Sequence, residues 1–199
     1  MFIEDDLLIE FGGEKKTYAK GEYLFKEGGY PKFFFQVADG KVKMSNTNDD
    51  SKEFIHRVFS KGESFGEPPL IGDFQYPADA IAITKLVVWK LPITGFIELV
   101  KNNFDIHWKL TQLLAKRLSY KSMLLVELST QDAEHRIMEI LNFYKKNSGK
   151  PETEAYEFPY TRQQLADMSG LRVETVIRTT KGLEEKGIIQ IKKHKILIG

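Results

Sequence analysis

The sequence predicts an α+β protein: a β-rich N-terminal half, a long helix, and a C-terminal helix-turn-helix followed by a hairpin. Three observations carry this. Between about Glu14 and Pro92, glycines at 21, 28, 29, 40, 62, 66 and 72 punctuate short apolar and aromatic runs, the pattern of short strands in a sandwich or roll. From residue 96 to 130 there is neither glycine nor proline, and leucines recur at 110, 113, 114, 118, 124, 125 and 128. Finally, Thr161 to Arg178 contains a helix start, a glycine stop and a second helix start at helix-turn-helix spacing.

The N-terminal runs include Phe33-Phe34-Phe35-Gln36-Val37 and Lys41-Val42-Lys43-Met44, with a polar hairpin loop at Asn46 to Ser51. Ala78 to Leu91 reads as two strands around Thr84-Lys85. The leucine stripe fits either a core-facing helix or a dimer seam. Its length of roughly 25 residues exceeds what one face of a small domain needs, which favours a dimerisation helix between two domains. Lys121 and Ser122 interrupt the stripe, so no clean heptad is read from it. A further helix is expected from Gln131 to Lys146, with Ile137, Ile140, Leu141 and Tyr144 on one face. The expected divisions are residues 1–100, 101–130 and 131–199.

With 42% hydrophobic and 29% charged residues, the chain has the composition of an ordered soluble protein. No run approaches the ~18 apolar residues of a membrane span. The acidic start, Met1 to Asp6, is unlike a signal peptide, so a cytoplasmic location is expected. The absence of cysteine excludes disulfides, thiol catalysis, cysteine-ligated iron–sulfur clusters and cysteine zinc sites. The net charge of +1 is unevenly spread: residues 161–199 carry eight basic against four acidic side chains. That C-terminal excess points to a polyanion, although a solvated charged face gives the same count.

Within the motif, Thr161 and Gln164 have capping-box spacing, and Leu165 and Ala166 follow, the alanine small enough for a crossing helix. Gly170 stands where the first helix must stop, in a conformation glycine tolerates. The second helix, expected from Arg172 to Glu185, sets Glu174 and Arg178 one turn apart on one side. Arginine suits guanine O6 and N7, and glutamate accepts from cytosine N4. The bland alternative is a surface ion pair contributing ~0.3–0.5 kcal/mol. Beyond Gly187, Ile188 to Ile191, a basic turn at Lys192-Lys193-His194, and Lys195 to Ile198 read as a hairpin with cations at its tip, placed like a wing. Lysines there would contact phosphates, whereas a plain capping hairpin is the alternative.

With these features, residues from about Tyr18 to Ile198 resemble the catabolite activator/fumarate–nitrate regulator superfamily. The phrases that carry the resemblance are Lys20-Gly21-Glu22, Phe34 to Gly40, Lys61 to Glu67, Ala78 to Pro92 and Lys116-Arg117-Leu118. Thr161 to Arg178 is the most specific of them. The resemblance implies a β-roll effector domain of double-stranded jelly-roll type, a long dimer helix and a C-terminal winged helix-turn-helix. It also implies a homodimer on two-fold-related half-sites of double-stranded DNA, with RNA polymerase as a partner and a small-molecule effector as an option. Base contacts then fall to Val173, Glu174 and Arg178. Backbone contacts fall to Thr161, Arg162, Arg172, Thr175, Lys192, Lys193 and Lys195.

The chain departs from the resemblance at the effector. Gly170-Leu171, Val173-Glu174-Thr175 and Arg178 are nearer the fumarate–nitrate branch, whose oxygen sensing uses cysteines that are absent here. The histidines at 56, 107, 135 and 194 have no ligand spacing, and nothing in the sequence supports a haem. Gly66-Glu67 matches the first pair of a cyclic-nucleotide pocket. The second pair, Arg-Ser in nucleotide-binding members, falls at Tyr76-Pro77 or Pro77-Ala78, and neither register supplies arginine or serine. Lys121-Ser122 stands where the dimer helix carries Thr-Ser, retaining only the serine. The effector site is therefore Gly66, Glu67, Tyr76, Pro77, Ala78, Lys121 and Ser122, and its ligand is not expected to be cyclic AMP.

The expected function is sequence-specific DNA binding that regulates transcription. A ligand-sensing or protein-interaction module with a decayed DNA-binding half is the rival. An enzyme is not expected, because no nucleophile–base pair, metal cluster or phosphate-cradling loop is found.

Overall fold

The computed structural model describes residues 2–48, 53–129, 132–151, 153–192 and 195–199. The chain forms two compact units, Met1–Lys116 and Arg117–Gly199.

The first unit begins with helix α1 (Asp5–Glu10), then strands β1 (Glu14–Tyr18), β2 (Tyr23–Phe25), β3 (Phe33–Asp39), β4 (Lys41–Thr47), β5 (Glu53–Ser60) and β6 (Ser64–Phe65). Helix α2 (Glu67–Gly72), β7 (Asp79–Ala82), β8 (Leu86–Pro92) and helix α3 (Ile93–Asn102) follow, and α4 (Phe104–Ser129) begins in this unit. Two antiparallel four-stranded sheets result, in the orders β1-β8-β3-β6 and β2-β7-β4-β5. They enclose a core of Tyr18, Phe35, Val37, Val42, Phe59, Phe65, Ala80, Ala82, Leu86 and Val88.

Strand alternation builds a second core on the outer face of the first sheet. Phe35 points between the sheets, whereas its neighbour Phe34 packs with Ile3, Leu8, Leu70, Trp89, Leu91, Phe96, Leu99 and Leu110. β3 is thus covered on both faces, which is why its central residues are apolar almost without a break. The exception, Gln36, is fully buried. Its amide satisfies the Ile3 backbone in both directions, accepting from Ile3 N–H and donating to Ile3 C=O at 2.8 Å each.

Two short helices escape sequence reading. α1 has only six residues and is fixed by tertiary contacts: Leu8 is buried, and the Trp89 indole donates to Asp5 Oδ1 at 2.8 Å. α2 begins at the Gly66-Glu67 corner, and Pro68 and Pro69 fall in its first turn, where missing N–H groups have no intrahelical role.

The second unit holds α5 (Ala133–Lys146), β9 (Tyr156–Glu157), α6 (Arg162–Ser169), α7 (Val173–Glu185), β10 (Ile189–Lys192) and β11 (Lys195–Ile198). β9, a strand the sequence did not announce, joins the hairpin in a sheet ordered β10-β11-β9. Ile137, Ile140 and Leu141 of α5 are buried, as are Phe158, Leu165, Val176 and Leu183. Edge-to-face contacts link Tyr144, Phe158 and Tyr160, with ring centroids 5.2–5.5 Å apart.

The leucine stripe divides along α4. Leu110 is buried and Leu114 packs against the first unit's helical core, whereas Leu118 and Leu125 are 67% and 69% exposed.

Candidate nucleic-acid interface and effector pocket

The capping box forms as the spacing predicts. Thr161 Oγ1 accepts from Gln164 N–H at 3.1 Å, and Gln164 Oε1 accepts from Thr161 N–H at 3.0 Å. Two donors at the start of α6 are thereby satisfied locally. α6 ends at Gly170, which adopts φ 66°, and Leu171 N–H then closes back onto Ala166 C=O at 3.2 Å. Arg136 of α5, 9% exposed, donates from Nη1 to Ser169 C=O at 3.0 Å. A guanidinium thus meets the negative end of α6 and fixes the turn.

α7 is amphipathic. Val176, Thr180 and Leu183 are fully buried, and the Thr180 hydroxyl donates to Val176 C=O at 2.8 Å, so no polar atom of that face is wasted. The opposite side presents Arg172, Glu174, Ile177, Arg178 and Lys181, all exposed. Among the described residues, no ion pair holds Glu174 or Arg178. Val173 and Thr175 flank this face half-buried.

The hairpin pairs Ile189 with Ile198 and ends at Lys192 opposite Lys195. Lys192 is exposed and Lys195 half-buried, while Lys193 and His194 lie outside the described residues. Glu184 Oε1 accepts from Ile191 N–H at 2.8 Å, fastening the hairpin to α7. The structure therefore gathers Thr161, Arg162, Arg172, Glu174, Arg178, Lys192 and Lys195 on one small unit built from α6, α7 and the hairpin. Ile177 stands on the same face at 48% exposure, which periodicity alone does not distinguish from a core position.

In the first unit, Gly66 occupies a left-handed corner at φ 80°, between β6 and α2, and Glu67 beside it is fully buried. Tyr76, 4% exposed, stacks on Phe25 with centroids 3.6 Å apart and planes 7° from parallel. A Cβ on Gly66 would meet Phe25 Cε1 at 3.4 Å and Tyr76 Cε1 at 3.6 Å, so both rings sit directly against this corner. Burial pushes the Tyr76 hydroxyl up to about 12. Backbone hydrogen bonds between Tyr76 and Gly28–Gly29 at 2.8–2.9 Å lock the segment, and Asn46 donates to Pro77 C=O at 2.9 Å. Pro77 is exposed and Ala78 buried. Neither a guanidinium nor a hydroxyl stands at residues 77 and 78, and the Gly66–Tyr76 contact is aromatic rather than anion-binding. These residues do not fit a cyclic phosphate. Lys121 and Ser122 belong to the second unit, both exposed, with Ser122 Oγ donating to Leu118 C=O at 3.0 Å.

Comparison with known proteins agrees with both halves. A cyclic nucleotide-binding domain family model matches residues 15–103, and a Crp-like helix-turn-helix domain model matches residues 123–199. The chain is 26% identical over 189 residues to the cyclic AMP receptor protein of Thermus thermophilus, covering 94% of this chain and 84% of that protein. It is 28% identical over 186 residues to the nitrogen fixation regulation protein FixK of Bradyrhizobium diazoefficiens, covering 92% and 77%. The solved structure of FixK2 from Bradyrhizobium japonicum superposes with a TM-score of 0.76 at 21% identity, over 94% of this chain and 92% of that one. A CooA mutant from Carboxydothermus hydrogenoformans gives 0.81 at 19% identity, over 98% and 87%, a likeness of fold.

A β-roll of the cyclic-nucleotide-binding type joined to a Crp-like helix-turn-helix defines a DNA-binding transcription regulator. The chain belongs to the CRP/FNR family of such regulators.

Proposed function

We propose that this regulator binds two-fold-related DNA half-sites as a homodimer, reads bases with α7, and is not switched by cyclic AMP. The observation that carries the reading is the exposed Glu174–Arg178 pair on the solvent side of α7, with no ion pair between them. Arg178 suits a guanine and Glu174 a cytosine, with Val173 at the edge of the same face. Thr161, Arg162, Arg172, Thr175, Lys192, Lys193 and Lys195 supply contacts to phosphates, which give affinity and register rather than sequence information. A decayed DNA-binding half would not be expected to keep the capping box, the Gly170 turn and this charged face together.

The dimer rests on α4. Phe104, Trp108, Thr111, Ala115, Leu118, Ser122 and Leu125 follow alternating steps of four and three residues, a heptad seam. All seven are exposed in the single chain, Phe104 by 73% and Trp108 by 53%. A second copy of α4 is the partner such a seam fits.

Effector control, where it operates, uses a ligand other than a cyclic nucleotide, because Phe25 and Tyr76 occupy the Gly66 corner and no cation faces it from residues 76–78. We read the protein as cytoplasmic, non-catalytic, and acting on RNA polymerase at promoters. No described helix is long and apolar enough to cross a membrane. Selection of bound sequences from random DNA, with and without small molecules from a cell extract, tests the reading. Enrichment of a two-fold-symmetric site supports it, and failure to enrich any sequence overturns it.

A further inference from the structure

We propose that Ile177 is a specificity residue that reads the 5-methyl group of a thymine. The inference rests on the reading of α7 as the base-contacting helix and adds a chemical class of base contact to it. Ile177 is 48% exposed, although the neighbouring Val176 is fully buried and completes the apolar side of the helix. It is therefore surplus to the core. On the exposed face it stands one turn after Glu174, beside Arg178 and one turn before Lys181. An isoleucine among charged groups gains nothing from water, and its branched Cβ holds one dominant rotamer in a helix, so its methyl groups are presented in a fixed place.

The edges of the major groove offer one matching group. Among the groups that distinguish the base pairs there, the C5-methyl of thymine is the apolar one, the others being hydrogen-bond donors and acceptors. Ile177 also shares a shallow concavity with Ile191 of β10, edged by Arg162, Lys181 and Glu184. The carboxylate on that edge is turned to the hairpin through its bond from Ile191 N–H. What remains is an apolar floor beside two cations, complementary to a base methyl flanked by phosphates. An apolar protein partner would find no such bracket of cations useful, so we assign the surface to DNA.

The test uses the operator obtained by selection. Each thymine is replaced in turn by deoxyuridine, which removes the methyl and leaves every hydrogen-bonding group. One thymine within two base pairs of the Arg178 guanine should weaken binding about fourfold in one half-site and about fifteenfold in both, the value of one or two buried methyl groups. Ile177→Ala should bind the thymine and uracil operators equally and lose enrichment of that thymine on reselection. Ile177→Val should keep part of the discrimination. A flat uracil scan for the unaltered protein, or an Ile177→Ala variant that still distinguishes thymine from uracil, overturns the proposal. Arg178→Ala is selected in parallel: if it loses its guanine while the uracil scan is flat, α7 reads bases and only Ile177 is misassigned. If Arg178→Ala selects the unaltered site, the reading of α7 itself falls.

Discussion

Tyr76 lies flat on Phe25, 3.6 Å between ring centroids, at the Gly66 corner where a cyclic-nucleotide-binding β-roll would receive its ligand. The stack joins residues 51 positions apart in the sequence, and it makes this corner a packed aromatic surface. Isothermal titration with cyclic AMP or cyclic GMP should give no low-micromolar binding, because a cyclic phosphate desolvated here would lack the donors that replace its water. A low-micromolar dissociation constant for either would show the stack to be displaceable and the assignment mistaken.

The same ring makes a pH prediction. Burial raises the Tyr76 pKa to about 12 from the ordinary 10.0, so folding favours the protonated phenol. Its contribution is fully present below pH 10 and is lost as the pH rises from about 10 to about 12. Tyr76→Phe keeps the stack and removes that titration. In urea unfolding it should match the unaltered protein near pH 7 and lose less stability on going to pH 11. Tyr18 and Tyr156 are also raised by burial and account for the alkaline loss that remains. Identical alkaline profiles for the two proteins would exclude Tyr76 as a contributor.

Arg178→Ala should cost ~1–3 kcal/mol on the selected operator and relax preference at a guanine. Lys192→Ala should weaken specific and random DNA alike and lower the salt dependence of binding by about one charge. Fluorescence anisotropy on both DNAs at several salt concentrations separates the two behaviours. Equal losses on both DNAs for Arg178→Ala would reassign it to the backbone.

Leu118→Glu with Leu125→Glu should yield folded monomers, seen by sedimentation, that bind a two-half-site operator far more weakly. Half-sites should lie about one helical turn apart, ~34–36 Å. Leu114→Glu should instead destabilise the first unit, since Leu114 packs against the core of Phe96, Leu99 and Leu110. A folded monomer from Leu114→Glu together with unaltered dimers from the double variant would place the seam on the other side of α4.

Arg136→Met should remove the charged donor to Ser169 C=O, leaving the buried end of α6 under-satisfied. A loss of about 1.5–3 kcal/mol is expected in the stability of the second unit, with weaker DNA binding in step. Unchanged hydrogen exchange across α6 and its turn would show that the contact does not hold the motif.

The sequence by itself determined the elements whose causes are local. The capping box of Thr161 and Gln164, the glycine stop at 170 and the amphipathic course of α7 depend on neighbours within one or two turns, and each forms where the spacing places it. The glycine-punctuated strands, and the absence of arginine and serine at residues 76–78, were legible for the same reason. Tertiary structure alone decided what long-range packing sets. β9, two residues long, exists because Tyr156 and Glu157 pair with β11 some forty residues away. α1 is held through Leu8 and the Trp89–Asp5 bond. The leucines of α4 have one periodicity, but only the β-roll's helical core determines that Leu110 and Leu114 turn inward while Leu118 and Leu125 stay exposed. Ile177 and Val176 are adjacent apolar residues of one helix, and a pattern of hydrophobicity gives them equal weight. Only packing against the rest of the second unit buries one completely and leaves the other about half exposed.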